Sequence, residues 1–563
     1  VSRISSTRAR ITDNARNPIQ TDARAFEVTI SSPDLSKMRW KKVLQLALVI
    51  SVTTFPIAAA TPAGDAGLRL TTLTTPGARA VPSLTAVIVS GSSVYSAPEL
   101  FASYRAQLGQ PISRDNAQAI TAALAARYSA DGYLQPELVL DDSLTGNGVL
   151  RVQVFEPLVT RVVFEGDSGS FRDALERIGD NLENRKPLRT GDVPQALQRM
   201  REIAGLAVSA STRRDSSTRN AFELVVKSDF STIDGVVRMN NRGTREAGPN
   251  FLLGQVFANG LLGLQEKIGL IFAAATDHDE YLGGGLFIDT PLGASGTHAN
   301  LLVFRSHSAP NERPVNLDDE YVRQRTSIRV SHPLRKDSGV SLTASAAFDL
   351  DDLSVDAAGA TVREDKLRIV ETALRAGWRA GAVQYSTNLQ IRKGLNGFGS
   401  GLVALDLADD PRQADFLVTL LQASAYRRLG ERWSMRFDAF AQTSQDVLPD
   451  GERFKIGGDR LGRGFEVPEI AGDNGLGGKI ELRRDLANTE SMFGRVSTYG
   501  FYDIGAAWKQ DRPGRESAAT AGVGLAIGGG TLTGYLELAS PLTGPDIEGK
   551  RSASVFAELS YRF

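Results

Sequence analysis

The sequence predicts a two-part chain: α+β domains in tandem, then a transmembrane antiparallel β-barrel of about 16 strands. Three observations carry that expectation. Residues 83–156 and 157–228 repeat one order of elements, β-α-α-β-β. From Asp229 onward glycine is frequent and short alternating runs replace helical periods. The chain then ends on an alternating strand whose last residue is Phe563. After residue 60 no apolar run is long enough to cross a membrane as a helix. Any spanning part must therefore be a closed barrel, which also satisfies every backbone group in lipid.

Composition narrows the function classes. A chain of 563 residues exceeds one ordinary core. With 64 basic and 65 acidic residues the formal charge is −1, which leaves no nucleic-acid footprint. The absence of cysteine excludes a zinc ribbon, a thiol nucleophile and a disulfide scaffold. His278, His298, His307 and His332 fall in no HExxH spacing and read as surface or lumen side chains. No clustered Ser/His/Asp set suggests an enzyme, and no cofactor or metal is expected.

The elements follow in order. Residues 1–37 are polar and irregular. Arg39, Lys41 and Lys42 precede an apolar run from Val43 to Ile57 and the small residues Ala58-Ala59-Ala60. These are the parts of a secretory signal peptide over 38–60, with Met38 the expected start and 1–37 absent from the mature protein. Pro56 and the hydroxyl residues Ser51, Thr53 and Thr54 argue against a spanning helix. Residues 61–82, rich in Thr, Pro, Ala and Gly, read as a linker.

In the first unit Val87-Ile88-Val89 is a strand. A helix opens near Pro98, and Ser113 caps a second helix with Ile120, Leu124 and Tyr128 at helical spacing. Leu138 to Leu140 and Val149 to Phe155 are strands about a Gly146-Asn147-Gly148 turn. The second unit repeats this. Val159 to Glu165 is a strand, and Phe171 to Ile178 is helical. Val193, Leu197, Met200 and Ala204 line one face of the next helix. Leu206 to Ala210 and Phe222 to Val226 are strands. A generic α+β domain is the alternative for each unit.

From Asp229, strands are expected at Leu270–Ala275, Leu301–Phe304, Ser327–Val330, Ser341–Phe348, Leu417–Tyr426, Trp433–Phe440 and Lys479–Leu482. In the terminal strand Val555, Ala557, Leu559, Tyr561 and Phe563 suit lipid. Phe556, Glu558, Ser560 and Arg562 suit a wet lumen. A soluble sandwich would also alternate, but with less glycine. Gly283-Gly284-Gly285 and Gly528-Gly529-Gly530 precede no helix and read as turns or strand bends; Asp349 to Asp352 reads as a solvated loop.

Two short signals belong together. Gly457-Gly458-Asp459-Arg460-Leu461-Gly462-Arg463-Gly464-Phe465 is a Gly-rich loop with a cation at Arg463. Phe501 and Asp503 share one face of a strand with Tyr499. Arg presents a planar fork that can grip a carboxylate bidentately. Phe465 can pack on wall aromatics, and Gly464 lets the chain turn tightly. A chance tripeptide in an exposed turn is the alternative.

With these residues in hand, residues 83–563 resemble the ShlB/FhaC/HecB family of haemolysin secretion/activation proteins. Ala126-Arg127-Tyr128-Ser129-Ala130-Asp131-Gly132-Tyr133-Leu134 resembles the second helix and exit of a POTRA domain. The Arg463-Gly464-Phe465 segment resembles the family's lumen-loop tip, and Phe501-x-Asp503 the wall strand that receives it. Where the family commonly has Val or Ile, this chain has Gly462, which implies a more flexible tip. Tyr561 and Phe563 resemble the C-terminal signal that the barrel assembly machinery reads. The resemblance implies an outer-membrane, lipid-embedded transporter that exports, and thereby activates, a dedicated β-helical exoprotein such as a haemolysin or adhesin. The substrate would be held through its N-terminal secretion domain by periplasmic POTRA units. An outer-membrane barrel-assembly factor of the same superfamily is the alternative, and two POTRA units favour secretion. A passive porin would lack the periplasmic repeat.

Overall fold

The computed structural model describes residues 82–563, apart from 141–147, 244–247, 278, 294, 311–318, 337–338, 406–409, 466–469, 489–493 and 546–551. The expected leader, the start at Met38, almost all of the linker and residues 146 and 147 of the first turn lie outside the described residues.

The first unit comprises β1 (Ala86–Ser90), α1 (Ala97–Tyr104), α2 (Arg114–Ala130), β2 (Glu137–Leu140) and β3 (Val149–Phe155). The second comprises β4 (Leu158–Gly166), α3 (Arg172–Asp180), α4 (Asp192–Met200), β5 (Leu206–Asp215) and β6 (Ala221–Phe230). Both sheets have one topology. In each the third strand is central, parallel to the first and antiparallel to the second, giving β1-β3-β2 and β4-β6-β5.

Local chemistry explains the helices. Ser96 and Glu99 form a capping box at α1, and Ser113 accepts the Asn116 N–H at the start of α2. Ile120, Leu124 and Tyr128 then fall on the face of α2 that is buried against β3. The Tyr128 hydroxyl donates to the buried Glu156 at 2.8 Å, so neither polar group is orphaned. Burial raises the Tyr128 pKa well above its ordinary value. The exit of α2 also joins the two units. Leu134 donates its N–H to the Leu188 carbonyl, and the Arg189 guanidinium lies 4.5 Å from the centre of the Tyr133 ring.

The barrel strands are β7 (Ile233–Asn240), β8 (Phe251–Asn259), β9 (Lys267–Ala275), β10 (Leu282–Pro291), β11 (His298–Ser308), β12 (Glu320–Lys336), β13 (Val340–Ala357) and β14 (Ala360–Ala380), continuing with β15 (Val383–Gly394). After a short β16 (Gly401–Ala404), which pairs with β14 beyond the wall, come β17 (Leu417–Arg428) and β18 (Trp433–Ser444). The hairpin β19 (Phe454–Ile456) and β20 (Ile470–Gly472) precedes β21 (Asn474–Asn488), β22 (Arg495–Trp508), β23 (Glu516–Gly528), β24 (Leu532–Thr543) and β25 (Ser554–Arg562). Omitting β16, β19 and β20, the wall is a closed antiparallel barrel of sixteen strands, as the sequence predicts. Among the described residues no helix could cross a membrane.

The barrel is apolar outside and charged within, as a solvent of hydrocarbon demands. Leu270, Ile504, Val523, Leu536, Val555 and Leu559 are exposed. Asp349, Asp351, Glu371, Asp438, Asp503 and Glu537 are buried. That inversion overturns one expectation. Asp349 to Asp352 is not a solvated loop but the middle of β13, where Asp349 and Asp351 face the lumen and hold Arg325 and Arg323. Inside a barrel, acidic residues are compatible with a strand because cations from neighbouring strands meet them. Of the two readings for Gly283 to Gly285, a turn or a bend in a strand, the turn falls: they lie within β10 near its start, where Gly283 and Gly285 leave room for Phe304. The barrel also begins later than Asp229. Asp229 and Phe230 complete β6, Phe230 packs on Phe171 with ring centres 5.6 Å apart, and β7 opens at Ile233.

β25 closes the ring on β7 over five residue pairs, Glu558–Arg562 against Val236–Asn240. Phe563 extends the seam by exchanging backbone hydrogen bonds of 3.1 and 3.0 Å with Gly235. A Cβ at 235 would stand 2.6 Å from the Phe563 ring. Gly235→Val is therefore expected to push the terminal ring off the seam at a cost of about 1–3 kcal/mol. A lower temperature for the folded-to-unfolded band shift on semi-native gels would register it.

Candidate lumen site

The connection between β18 and β21, residues 445–473, turns back into the barrel as the β19/β20 hairpin. It lies at the end remote from the α+β units. Phe454, Ile456, Leu461 and Ile470 form its apolar side and cluster with Phe440, Ala507 and Ala518 of the wall. The wall is hollowed to admit it. Cβ atoms at Gly477 and Gly505 would collide with the Leu461 side chain, so two missing side chains make one recess.

Arg463 is buried at the tip, with three carboxylates around it. Its Nη1 donates to Glu537 Oε2 at 3.1 Å and lies 3.6 Å from Glu481 Oε2; its Nε lies 3.7 Å from Asp503 Oδ2. The guanidinium stacks on Phe501, 3.6 Å from the ring centre. The expected cation and the expected anion thus meet, but not as a bidentate fork. The loop backbone donates directly to Asp503, with the Gly462 N–H 3.1 Å from Oδ2. One carboxylate therefore takes the loop backbone, while the side chain is shared among three.

Gly462 plays a different part from the one its sequence suggests. Its φ of +94° is a conformation that Val and Ile rarely adopt, and a Cβ there would stand 2.9 Å from Ile456. Glycine here fixes a shape and does not merely loosen the tip. Gly457 and Gly458 also have positive φ, and their N–H groups bond to the Leu461 and Phe465 carbonyls. The turn is made by these three glycines, not by Gly464, whose φ is not positive. Phe465 packs on the apolar cluster and over Gly544, since the wall aromatic Phe501 is already covered by Arg463.

Strand parity places the wall residues. Along β22 burial alternates, with Tyr499, Phe501 and Asp503 inward and Ile504 outward. Cross-strand rows run Lys479–Asp503–Thr520, Glu481–Phe501–Gly522 and Tyr499–Gly524–Glu537. Gly524 has no side chain between Tyr499 and Glu537, so the tyrosine hydroxyl reaches across the strand and donates to Glu537 Oε2 at 3.0 Å. The other Glu537 oxygen accepts from Arg242 Nη2 at 2.8 Å. Arg242 follows β7 and packs over the Phe556 ring of β25. Glu537, Glu481 and Arg242 escape a reading of local motifs, whereas the sequence places Tyr499 on the right face without its partner Glu537. The signal that could have found them is the in-facing Gly522 and Gly524 beside in-facing aromatics.

A charged lumen that holds an inward loop, preceded by two tandem α+β units, is an architecture consistent with an outer-membrane transport barrel of the POTRA-bearing class. The sequence matches the family model for the haemolysin secretion/activation proteins ShlB/FhaC/HecB over residues 224–528. The chain belongs to that family, whose members are two-partner secretion transporters of the outer membrane. It is 21% identical over 505 residues to the outer membrane transporter CdiB of Escherichia coli, covering 85% of this chain and 82% of the relative. The solved structure of CdiB from Escherichia coli superposes with a TM-score of 0.69 at 20% identity, covering 87% of this chain and 93% of that one. CdiB from Acinetobacter baumannii gives 0.59 at 13% identity, with 93% and 97% covered. At such identities these structures speak to the fold alone.

Glu537→Gln is expected to loosen both Arg463 and Arg242. Stripping a partner from a buried pair costs about 3–5 kcal/mol in a dry interior and less beside lumen water. Faster proteolysis of the 445–473 loop in intact cells, with the barrel still heat-modifiable, is the measurement.

Proposed function

We propose that this transporter exports one dedicated β-helical exoprotein, such as a haemolysin or adhesin, and that export yields the active form. The exoprotein's N-terminal secretion domain is received by the α+β units, and the chain then passes through the barrel. The supporting observation is the Arg463 site: a cation on a loop, buried against three wall carboxylates inside the lumen. Such a loop blocks a simple pore, yet its tip is held by ion pairs as well as by apolar contacts, and water can replace an ion pair as it breaks, so the loop can be displaced. The Arg-Gly-Phe tip is thus a gate, and Asp503 with Phe501 its seat.

The receiving surface is a strand edge. β5, ten residues long, pairs with β6 alone among the described strands, and β2 pairs with β3 alone. An extended substrate segment can add to either edge by main-chain hydrogen bonds. Assembly of the barrel in lipid through the Tyr561 and Phe563 terminus belongs to the same reading. Those two rings face outward and stack with centres 6.2 Å apart.

The test is secretion of the exoprotein encoded beside this gene. Arg463→Ala and Asp503→Ala should each cut its appearance in the medium by about tenfold, the equivalent of 1.4 kcal/mol. The barrel should remain heat-modifiable in both. Parental secretion in both variants would remove the gate. Loss of other outer-membrane barrels on deleting the gene would point to assembly instead.

A further inference from the structure

The tip is not the loop's only ionic attachment. At the other limb, Arg392 of β15 grips Glu452 with both oxygens engaged, Nε to Oε2 at 2.8 Å and Nη2 to Oε1 at 2.9 Å. Arg363 of β14 lies 2.7 Å from Asp450 Oδ2. Between these, a Cβ at Gly451 would stand 3.2 Å from Arg323, so the limb lies directly on the wall. Leu448, fully buried, fills an apolar pocket with Leu367, Ile369, Phe416 and Val418. β15 lies six strands round the ring from β24, which carries Glu537. The loop is therefore fastened on two widely separated arcs of the wall.

We propose that Asp450 and Glu452 form a second latch, on Arg363 and Arg392, and that the lumen opens fully only when this latch and the Arg463 seat are both released. The inference rests on the export reading above. Its chemistry differs from that of the seat. At the seat one loop cation meets wall carboxylates; at the latch loop carboxylates meet wall cations. The wall cations keep other partners when the latch opens, since Arg392 also holds Asp349 and Glu371, and Arg363 also holds Asp365. Release therefore leaves no bare guanidinium on the wall, and two bonded states of the wall are available. A bidentate fork, once broken, also reforms in one geometry, which returns the loop to one place.

Because the wall keeps its own pairs, the loop carboxylates can be neutralised without stripping the barrel. The experiment compares purified full-length proteins in planar lipid bilayers: parent, Asp450→Asn/Glu452→Gln, Arg463→Ala, and the triple variant. The latch variant is expected to raise open-channel occupancy about tenfold, and the triple variant to exceed Arg463→Ala alone by a further factor of about ten. The charge-retaining pair Asp450→Glu/Glu452→Asp is expected to stay much nearer the parent than the neutral pair. Parental conductance in Asp450→Asn/Glu452→Gln with a heat-modifiable barrel would overturn the latch. So would a triple variant no more open than Arg463→Ala, or a charge-retaining pair as open as the neutral one. Exoprotein secretion that persists without the transporter would refute the export reading instead.

Discussion

One guanidinium buried among three carboxylates holds the inner architecture together. Arg463 could not enter the lumen unpaired, because an ion taken out of water costs several kcal/mol. Asp503, Glu481 and Glu537 could not stand close together on one wall without a cation between them. Each side makes the other tolerable, so the loop folds inward and the wall accepts it. Glu537 then carries the effect further, since its second oxygen holds Arg242 beside the closing seam. The position of the loop and the closure of the ring share a carboxylate.

The same rule explains the rest of the lumen. A barrel in lipid must put its apolar side chains outward, so its charges collect inside, where they pair or remain wet. Asp349, Glu371 and Arg392 form such a set across β13, β14 and β15. The loop limb adds Glu452 to it. Polar pairing is a suitable fastening for a part proposed to move, because water can replace each bond as it breaks. Apolar contacts through Leu461 and Leu448 set where the loop rests, and the ion pairs hold it in that orientation.

The two α+β units complete a division of labour. Their cores are ordinary apolar ones, and among the described strands their sheets end in β2 and β5, each paired on one side. The exit of the second helix, where Tyr133 meets Arg189, joins them through backbone and ring contacts. The second unit in turn touches the barrel rim, with Phe171 lying against Gly260 and Glu202 paired with Lys336.

Much of this was legible in the sequence, because periodicity is a local property. Helical spacing at Ile120, Leu124 and Tyr128, alternation in β22 and β25, and the pairing of a loop Arg with a strand Asp are all written along the chain. What the sequence could not express was which strands lie beside which. Asp349 to Asp352 looks like a loop until arginines from β12 and β15 are placed next to it. Glu537 and Arg242 are some 295 residues apart and carry no common motif. Gly462 looks loose until its φ and its bond to Asp503 are known. Local pattern determined the elements, their faces and one half of the site. Only closure of the ring decided which charges share a lumen, since that depends on strands brought together by the whole wall.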